Sequence, residues 1–341
     1  MKTLKNKLRN NKKAVYWWRC FKYRNSKEYE RFVFNDTHKL FFEAKEIDDV
    51  SEDKNIYYYI KIRDSLSGFF AIYRWILNAL YVADRFNMIP CFDIIHTFYT
   101  SGEEDFFKKY FVLKSGVDSI DDKSNVFLYV AGHLAWFDDA HGLSKELLCG
   151  YDVDDKYIND LALLRNKYLD FNFDIKDEIN KEINALIGKD KTVGVHYRGT
   201  DYKAGFKGHP IALMPCDYFE YIDNLLNKGY TKIFVATDDK TALDEFIDKY
   251  DDKVVYYQDT NRSSNGKSVH EFSSEDPFLK GYEVLRDMLT LASCDSLICG
   301  KSQVSIGARI ERCANGLVYD FFKLIDKGNY NVDSRKKYYK K

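Results

Sequence analysis

One short stretch of the chain places a histidine, an arginine and an aspartate directly after a run of apolar residues. It reads Val193-Gly-Val-His-Tyr-Arg-Gly-Thr-Asp201, so that His196, Arg198 and Asp201 lie at or beyond the end of a predicted buried strand. Open α/β sheets bind ligands at the carboxyl ends of their strands. An arginine offers a planar fork of donors that matches phosphate oxygens, and it stays charged at any working pH. The stretch therefore predicts an anion-binding site. The alternative is an arginine that only forms a salt bridge with a neighbouring carboxylate.

Three other polar groups are predicted to reach the same edge of one sheet. They are the strand end Ala236-Thr-Asp-Asp239, Asp287 on a helix, and Ser302-Gln303 at the start of a helix. A helix start presents unpaired backbone N–H groups and favours anions. Asp238, Asp239 and Ser302 have an equally good structural explanation, because Asp and Ser commonly cap the N-terminus of a helix.

The elements that must position these groups alternate between strands and helices in the second half of the chain. Such alternation predicts right-handed crossovers and a parallel sheet, hence a Rossmann-like unit. The predicted strands are 191–198, 232–237, 253–257, 296–299 and 316–319, and the predicted helices are 216–227, 241–249, 280–293 and 303–312.

The first half shows a shorter pattern of the same kind. A strand at 55–63 and a turn at Ser67-Gly68 precede a helix at 71–86 and a strand at 88–93, with a further strand at 125–130 and one long helix from 158 to 187. We predict an N-terminal Rossmann-like domain over 1–187, a C-terminal Rossmann-like domain over 188–325, and a basic tail over 326–341. With 341 residues, the chain exceeds what one core usually fills.

The combined motifs resemble those of the fucosyltransferase superfamily, which includes the core α1,6-fucosyltransferases, the rhizobial nodulation fucosyltransferases and, more distantly, the protein O-fucosyltransferases. That family has His-x-Arg-Arg-x-Asp, a strand ending in Ala-Thr-Asp-Asp, an Asp before a strand, and Ser-Gln. This order and spacing are matched over residues 190–315, and the segment Ser67-Gly-Phe-Phe-Ala71 with the following helix is a weaker match. The resemblance implies an α/β fold of GT-B type, in which two Rossmann-like domains face a cleft and use GDP-fucose without a metal.

The resemblance also implies roles for single residues. Arg198 would contact the β-phosphate and stabilise the charge that develops on departing GDP. His196 would contact the nucleotide, and Asp287 would accept hydrogen bonds from ribose or guanine. The remaining predicted nucleotide-sugar-binding residues are Gly68, Asp238, Asp239, Ser302 and Gln303.

Two departures from the family pattern bear on catalysis. Gly199 replaces the second arginine, and the loop from Tyr202 to Gly208 lacks the glutamate that core fucosyltransferases have there. An inverting displacement needs a group that takes the proton of the acceptor hydroxyl. Asp201 is the nearest candidate base, with loop capping as its alternative role. These departures also admit a related GDP-sugar donor, such as another deoxyhexose or a heptose.

Composition limits the classes of partner. The formal net charge is −1, which predicts no general affinity for nucleic acid. Nine Lys or Arg and no acid lie between Met1 and Asn25, and the chain ends in Arg335-Lys-Lys-Tyr-Tyr-Lys-Lys341. Basic ends are usually solvated tails, and they also admit peripheral contact with an anionic membrane surface. We expect a cytoplasmic protein, because no long apolar run and no signal peptide are present.

Two rival functions stay open at this point. Asp152-Val-Asp154 has the spacing of the carboxylate pair in metal-dependent glycosyltransferases, although it lies in an acid-rich run. A relative that binds GDP or carbohydrate without turnover would keep the same fold. The seven histidines form no H-E-x-x-H pattern and the seven cysteines no Cys-x-x-Cys pair, so we expect no metal cofactor.

Overall fold

Two parallel β-sheets organise the part of the chain that the structure describes. The structure is a computed structural model, and it describes residues 57–62, 67–85, 87–119, 126–131, 150–264, 266–269 and 275–331. The basic N-terminal segment and residues 332–341 lie outside these ranges. None of the helices in the described part of the chain has the length and apolar character needed to span a bilayer.

The first sheet has three parallel strands in the order β2-β1-β4. They are β1 (Tyr57–Ile62), β2 (Ile89–Ile94) and β4 (Val126–Ala131), and helix α1 (Phe69–Arg85) connects β1 to β2. In the central strand Tyr58, Ile60 and Ile62 are fully buried, as expected from the two-residue period of a strand. The predicted strand, helix and strand of this region are therefore confirmed.

A small antiparallel pair corrects the single long helix predicted for 158–187. Helix α2 (Phe106–Tyr110) leads into β3 (Phe111–Leu113), which pairs with β5 (Leu169–Phe171). The strand β5 separates helix α3 (Asp155–Tyr168) from helix α4 (Phe173–Leu186). The Asn172 side chain accepts a hydrogen bond from the Asp174 N–H at 3.1 Å and starts α4 as a new helix.

The second sheet has five parallel strands in the order β10-β9-β6-β7-β8. From the central strand β6, the next strands β7 and β8 are added on one side of the sheet. The chain then returns and adds β9 and β10 on the other side of β6, so the strand order reverses between β6 and β9. Such a reversal opens a crevice at the carboxyl ends of the two strands. The strands are β6 (Thr192–Tyr197), β7 (Lys232–Thr237), β8 (Val254–Val255), β9 (Ser296–Gly300) and β10 (Phe321–Ile325). The helices are α5 (Cys216–Leu226), α6 (Lys240–Tyr250), α7 (Pro277–Ser293) and α8 (Gln303–Ala314).

The last strand lies later in the chain than the sequence pattern predicts. Residues 316–319 were expected to form it, but Gly316 has a φ of +69° and Val318 is 83% exposed. The Leu317 N–H donates to the Arg312 carbonyl at 3.1 Å, so this segment continues the turn that ends α8. The second apolar run, Phe321–Ile325, is the one that pairs with β9.

Helix α8 joins the two halves of the described chain. A Cβ atom on Gly307 would lie 2.8 Å from the Phe70 ring, so a side chain there would separate α8 from α1. Behind this contact the Glu311 carboxylate accepts from the Arg165 Nε at 3.0 Å and from the Tyr73 hydroxyl. The side chains of Glu311 and Arg165 are buried, and buried charges are stable only when paired in this way. The domain boundary between residues 187 and 188 stays a prediction.

Candidate functional site

A cleft of about 710 Å³ opens at the carboxyl ends of β6, β7 and β9. The reversal in strand order lies at this edge, as in other open α/β sheets. Helix α1 and the chain before it form the facing wall through Gly68, Arg74 and Trp75. Seven of the nine sequence-predicted site residues line the cleft: Gly68, His196, Arg198, Asp238, Asp287, Ser302 and Gln303.

His196 and Ser302 connect the two strands at which the order reverses. His196 lies near the end of β6, and its Nδ1 is 3.1 Å from the Oγ of Ser302, just beyond β9. The Ser302 Oγ also accepts from the Ser305 N–H at 3.0 Å, so Ser302 is the N-cap of α8. Burial, with a smaller contribution from the Arg198 charge, lowers the pKa of His196 to about 4. The imidazole is therefore neutral at physiological pH and can both donate and accept a hydrogen bond.

Arg198 is held at the cleft by Asp238. Its Nη1 donates to the Asp238 Oδ2 at 2.6 Å, and the same carboxylate accepts from the Thr200 hydroxyl at 2.6 Å and from the Gly199 N–H at 3.1 Å. Burial alone would raise the pKa of Asp238, but the Arg198 charge and these hydrogen bonds outweigh burial and lower it. The guanidinium keeps partial exposure, at 22%, and it lines the cleft.

Asp239 caps a helix and does not line the cleft. Its Oδ1 accepts from the Ala242 N–H at 3.2 Å as the N-cap of α6, and its Oδ2 accepts from the Lys203 ammonium at 2.5 Å. Gly199 packs directly against it, because a Cβ atom there would lie 2.5 Å from the Asp239 Oδ2 and 2.8 Å from the Tyr197 ring. The glycine that replaces the second arginine of the family pattern is thus required by the packing of this chain.

Gln303 connects the two walls of the cleft. The Arg74 Nη1 donates to the Gln303 Oε1 at 2.8 Å and to the Gly150 carbonyl at 2.8 Å. Arg74 belongs to α1, whereas Gln303 is the first residue of α8. Because the amide oxygen of Gln303 accepts from Arg74, its amide nitrogen keeps two donors for other partners.

Two carboxyl groups of α7 line the cleft next to each other. Glu283 and Asp287 are one turn apart, and both are more than 90% buried. Burial is the largest cause of a raised pKa in both residues, to about 7 in Glu283 and about 6 in Asp287. One oxygen of each, Glu283 Oε1 and Asp287 Oδ1, is buried and has no hydrogen-bond partner among the residues that the structure describes. A buried unsatisfied carboxyl oxygen is costly and is expected to meet a donor in the functional state.

The loop after β6 adds aromatic rings to the cleft. It begins with a short 3₁₀ helix at Asp201–Ala204, and the side chain of Asp201 lies outside what the structure describes. The ring of His209 lies between 5.4 and 6.3 Å from the rings of Phe206, Tyr202 and Tyr151. Sugars pack against such ring faces while their hydroxyl groups meet polar atoms.

The C-terminal segment of the described chain fastens this loop. The Gly208 N–H donates to the Tyr330 carbonyl at 2.9 Å, and the Tyr330 N–H donates to the His209 carbonyl at 2.9 Å. Pro210 pairs with Asn329 in an antiparallel bridge. Residues 328–330, assigned to the tail from sequence, therefore support a loop that lines the cleft.

The Asp152-Val-Asp154 pair has structural partners. Asp154 caps α3 by accepting from the Tyr157 N–H at 2.8 Å, and Asp152 accepts from the Lys301 ammonium at 2.5 Å. Within the described ranges, no three His, Cys, Asp or Glu side chains gather in a way that could hold a metal ion.

The polar cleft residues that the sequence prediction did not include are exemplified by Arg74, His209 and Glu283. Glu283 precedes Asp287 by one helical turn, so the helical period was a signal that could have identified it. His209 follows Asp201 on the same loop, and its type alone marked it as a titratable candidate. No local sequence pattern identified Arg74 as a cleft residue, because its partner Gln303 lies 229 positions away.

Residues 163–311 match the family of the α-(1,6)-fucosyltransferase N- and catalytic domains. The matched segment contains β6, β7, β9 and most of α8, and with them six of the seven predicted site residues that line the cleft. Over these residues the match confirms the predicted relationship to the fucosyltransferase superfamily, and it agrees with the predicted glycosyltransferase class. The predicted α/β architecture with parallel sheets is confirmed as well. No curated protein sequence matches the chain.

Solved structures with a similar chain trace include a NodZ α-1,6-fucosyltransferase soaked with GDP-fucose. It is 16% identical, with a TM-score of 0.48 over 75% of this chain and 92% of that one. The fucosyltransferase NodZ from Bradyrhizobium is 15% identical, with a TM-score of 0.45 over 76% and 93% of the two chains. POFUT1 in complex with GDP-fucose is 11% identical, with a TM-score of 0.46 over 81% and 99%.

Proposed function

We propose that this chain, a relative of the α-(1,6)-fucosyltransferases through residues 163–311, transfers L-fucose from GDP-fucose to a glycan hydroxyl with inversion at the anomeric carbon. The observation that carries the proposal is the position of Arg198. Its guanidinium is partly exposed and held by Asp238, and it lines the same cleft as the start of α8, at the edge where the strand order reverses. The family match supports the fucosyl donor, and the chemistry of the cleft supports a nucleoside diphosphate as its carrier.

The diphosphate would lie between Arg198 and the N-terminus of α8. The first backbone N–H groups of a helix have no intrahelical acceptor and favour an anion. The Ser302 hydroxyl already accepts from the Ser305 N–H, so the cap itself is satisfied and the amide of Gln303 can donate to a phosphate oxygen. Negative charge grows on GDP as the glycosidic bond breaks, and Arg198 would stabilise it in the transition state without reorganising.

The nucleoside would lie against α7. Asp287 is buried and lines the same cleft as Arg198, and one of its oxygens has no partner among the described residues. Ribose hydroxyls and the N–H groups of guanine are donors that suit such an oxygen. Neutral His196, hydrogen-bonded to Ser302, would hold the nucleotide from the β6 side.

The acceptor would enter beside the loop that carries Asp201 and His209. The rings of Tyr151, Tyr202 and Phe206 offer faces for a sugar to pack on. We propose Asp201 as the base that takes the acceptor proton, with His209, which lines the cleft on the same loop, as the second candidate.

The chemistry proposed for this site needs no metal, because Arg198 and the start of α8 supply the positive electrostatic environment. The rival metal-dependent reaction would use Asp152 and Asp154, whose described contacts are with Lys301 and the N-terminus of α3. We further propose a cytoplasmic location, with the basic ends holding the enzyme near a membrane during polysaccharide or glycoconjugate synthesis. A related GDP-sugar, such as another deoxyhexose or a heptose, is the alternative donor.

Calorimetric titration of GDP tests the core of the proposal. In EDTA, wild type should bind GDP and not UDP, and Arg198→Ala should weaken GDP binding by about 2 kcal/mol, the worth of a charge-assisted hydrogen bond. The affinity for guanosine should stay unchanged in the same variant, because guanosine has no phosphate. Loss of GDP binding in EDTA would favour the metal-dependent alternative. GDP binding without fucose transfer to any glycan would favour a binding protein.

A further inference from the structure

Glu283 has no role in the chemistry described above, although it is one of the most deeply buried groups of the cleft wall. It is 4% exposed and lines the cleft, and within the described part of the chain its Oε1 has no hydrogen-bond partner. Its other oxygen accepts from the Asn261 backbone N–H at 3.2 Å, which fixes the carboxyl group in place. A fixed, buried and half-satisfied carboxyl at a cleft wall is poised for a ligand atom.

Asp287 lies one turn further along the same helix face, with the same kind of unsatisfied oxygen. Cβ atoms four residues apart on a helix are about 5–6 Å from each other, so the two carboxyls can meet neighbouring atoms of one ligand edge. Repulsion between two neighbouring buried carboxylates disfavours the state in which both are ionised. The pair therefore keeps one proton to a higher pH than a single carboxyl would. One carboxyl then accepts hydrogen bonds while the other donates one.

Guanine presents a matching edge. Its carbonyl O6 accepts a hydrogen bond, while the adjacent N1–H and N2 amino groups donate. Adenine presents the opposite order, with an amino group where guanine has O6. A wall that combines one ionised and one protonated carboxyl therefore distinguishes guanine from adenine.

We propose that Glu283 is a specificity-determining residue that donates its carboxylic acid proton to O6 of the guanine base while Asp287 accepts from the N–H groups of the same edge. This inference rests on the proposed GDP-sugar donor. Glu283 is not among the residues predicted from the sequence, of which only Asp287 was expected to meet ribose or guanine.

The surroundings of Glu283 support the protonated form. Burial raises its pKa to about 7, and the Asn261 N–H opposes the shift only in part. The charged groups that act on it are Glu275 from the preceding loop, Asp287 and Arg286 from its own helix, and Arg262 from the segment after β8. The Arg286 guanidinium is engaged by Glu182 and Asp259 at 2.5 and 2.7 Å, so its charge is largely compensated.

The need for a protonated Glu283 determines how GDP affinity should change with pH. Glu283 can donate only while protonated, so GDP affinity should fall as pH rises through its pKa. Glutamine always carries an amide donor, and Glu283→Gln should therefore bind GDP with no such fall. Other titrating groups, including the phosphates and His209, are common to both proteins and cancel in the comparison.

The test is calorimetric titration of GDP, IDP and ADP into the full chain between pH 6 and 8.5. Relative to Glu283→Gln, wild type should lose GDP affinity above pH 7. At pH 6, Glu283→Leu should lose roughly fivefold to tenfold for both GDP and IDP, which share O6, and nothing for ADP. Glu220→Gln on the exposed face of α5 is the matched control, and circular dichroism establishes that each variant is folded.

Three outcomes decide the matter. The pattern above supports the inference. Equal pH dependence in wild type and Glu283→Gln, or full GDP affinity in folded Glu283→Leu, overturns it and leaves the proposed function intact. Absence of GDP binding by wild type at every pH overturns the proposed function together with this inference.

Discussion

The Arg198 guanidinium and the Asp238 carboxylate meet at 2.6 Å, joining the carboxyl ends of β6 and β7 at the wall of the cleft. Asp238 is 14% exposed and receives two further hydrogen bonds, from Thr200 and Gly199. The ion pair therefore has a structural role, and it also sets the direction in which Arg198 points.

The first prediction concerns the stability that this pair provides. Asp238→Ala should lower the free energy of unfolding by about 3 kcal/mol, because it leaves a largely buried guanidinium without its charge partner. Asp244→Ala is the matched control, since Asp244 pairs with Lys240 at 3.0 Å where both side chains are more than half exposed. The control should change stability by less than about 0.5 kcal/mol. Urea denaturation measures both, and equal losses would show that Arg198 finds another partner.

The second prediction concerns acid stability. Burial lowers the pKa of His196 from an ordinary value of 6.5 to about 4, so between these values the unfolded chain binds a proton that the folded protein excludes. Stability should therefore fall as pH falls from 6.5 to 4, by roughly 3 kcal/mol from this residue alone.

His196→Gln isolates that contribution. Glutamine keeps a polar partner for Ser302 but does not titrate, so the difference in unfolding free energy between wild type and variant should change across this window. The raised pKa values of Glu283 and Asp287 act in the opposite direction and are present in both proteins. A difference that stays constant from pH 7 to pH 4 would contradict a neutral, buried imidazole.

The third prediction concerns the glycine of the central motif. Gly199→Ala should destabilise the protein by about 1–3 kcal/mol, because its Cβ would lie 2.5 Å from the Asp239 Oδ2. Gly150→Ala should be nearly neutral, since no atom of the described residues other than its chain neighbours lies within 4 Å of the Cβ position there. Thermal unfolding of the two variants measures the contrast. A stable Gly199→Arg variant would show that the chain tolerates the family's second arginine after all.

The fourth prediction concerns the base. If Asp201 takes the acceptor proton, Asp201→Asn should lower kcat by about 10²–10⁴ and leave GDP affinity unchanged. The rate of His209→Gln should then still fall toward low pH, because the base that becomes protonated there is Asp201. Loss of that fall in His209→Gln, with Asp201→Asn still active, would assign the proton transfer to His209.

Much of the fold follows from local pattern. Strands such as Lys232–Thr237 and the helix starting at Gln303 agree with the sequence prediction, because a buried apolar run or a capping serine marks each boundary. The predicted helix across 158–187 was wrong because Leu169 and Phe171, which alternate on β5, also fit the helical period of their neighbours. The predicted strand at 316–319 was wrong because the segment follows the turn that ends α8, where Leu317 and Val318 are exposed.

The site was predictable for residues that come directly after a strand of the sheet. His196, Arg198, Asp238 and Ser302 converge because parallel strands end together. The contact of Arg74 with Gln303 depends on how α1 packs against α8, which no local pattern determines. The role of Asp239 was ambiguous in the sequence, and the structure resolves it as a helix cap beside Gly199.

The bridge between Pro210 and Asn329 has a consequence for how the protein is made. A ribosome adds about 5–20 residues per second, so residue 329 emerges on the order of ten seconds after the loop that it fastens. During that interval β6, β7 and β9 can already pair, while the loop next to Arg198 lacks the backbone partners that residues 328–330 supply. The nascent chain can thus pair these strands before the residues that hold this part of the cleft wall have been synthesised.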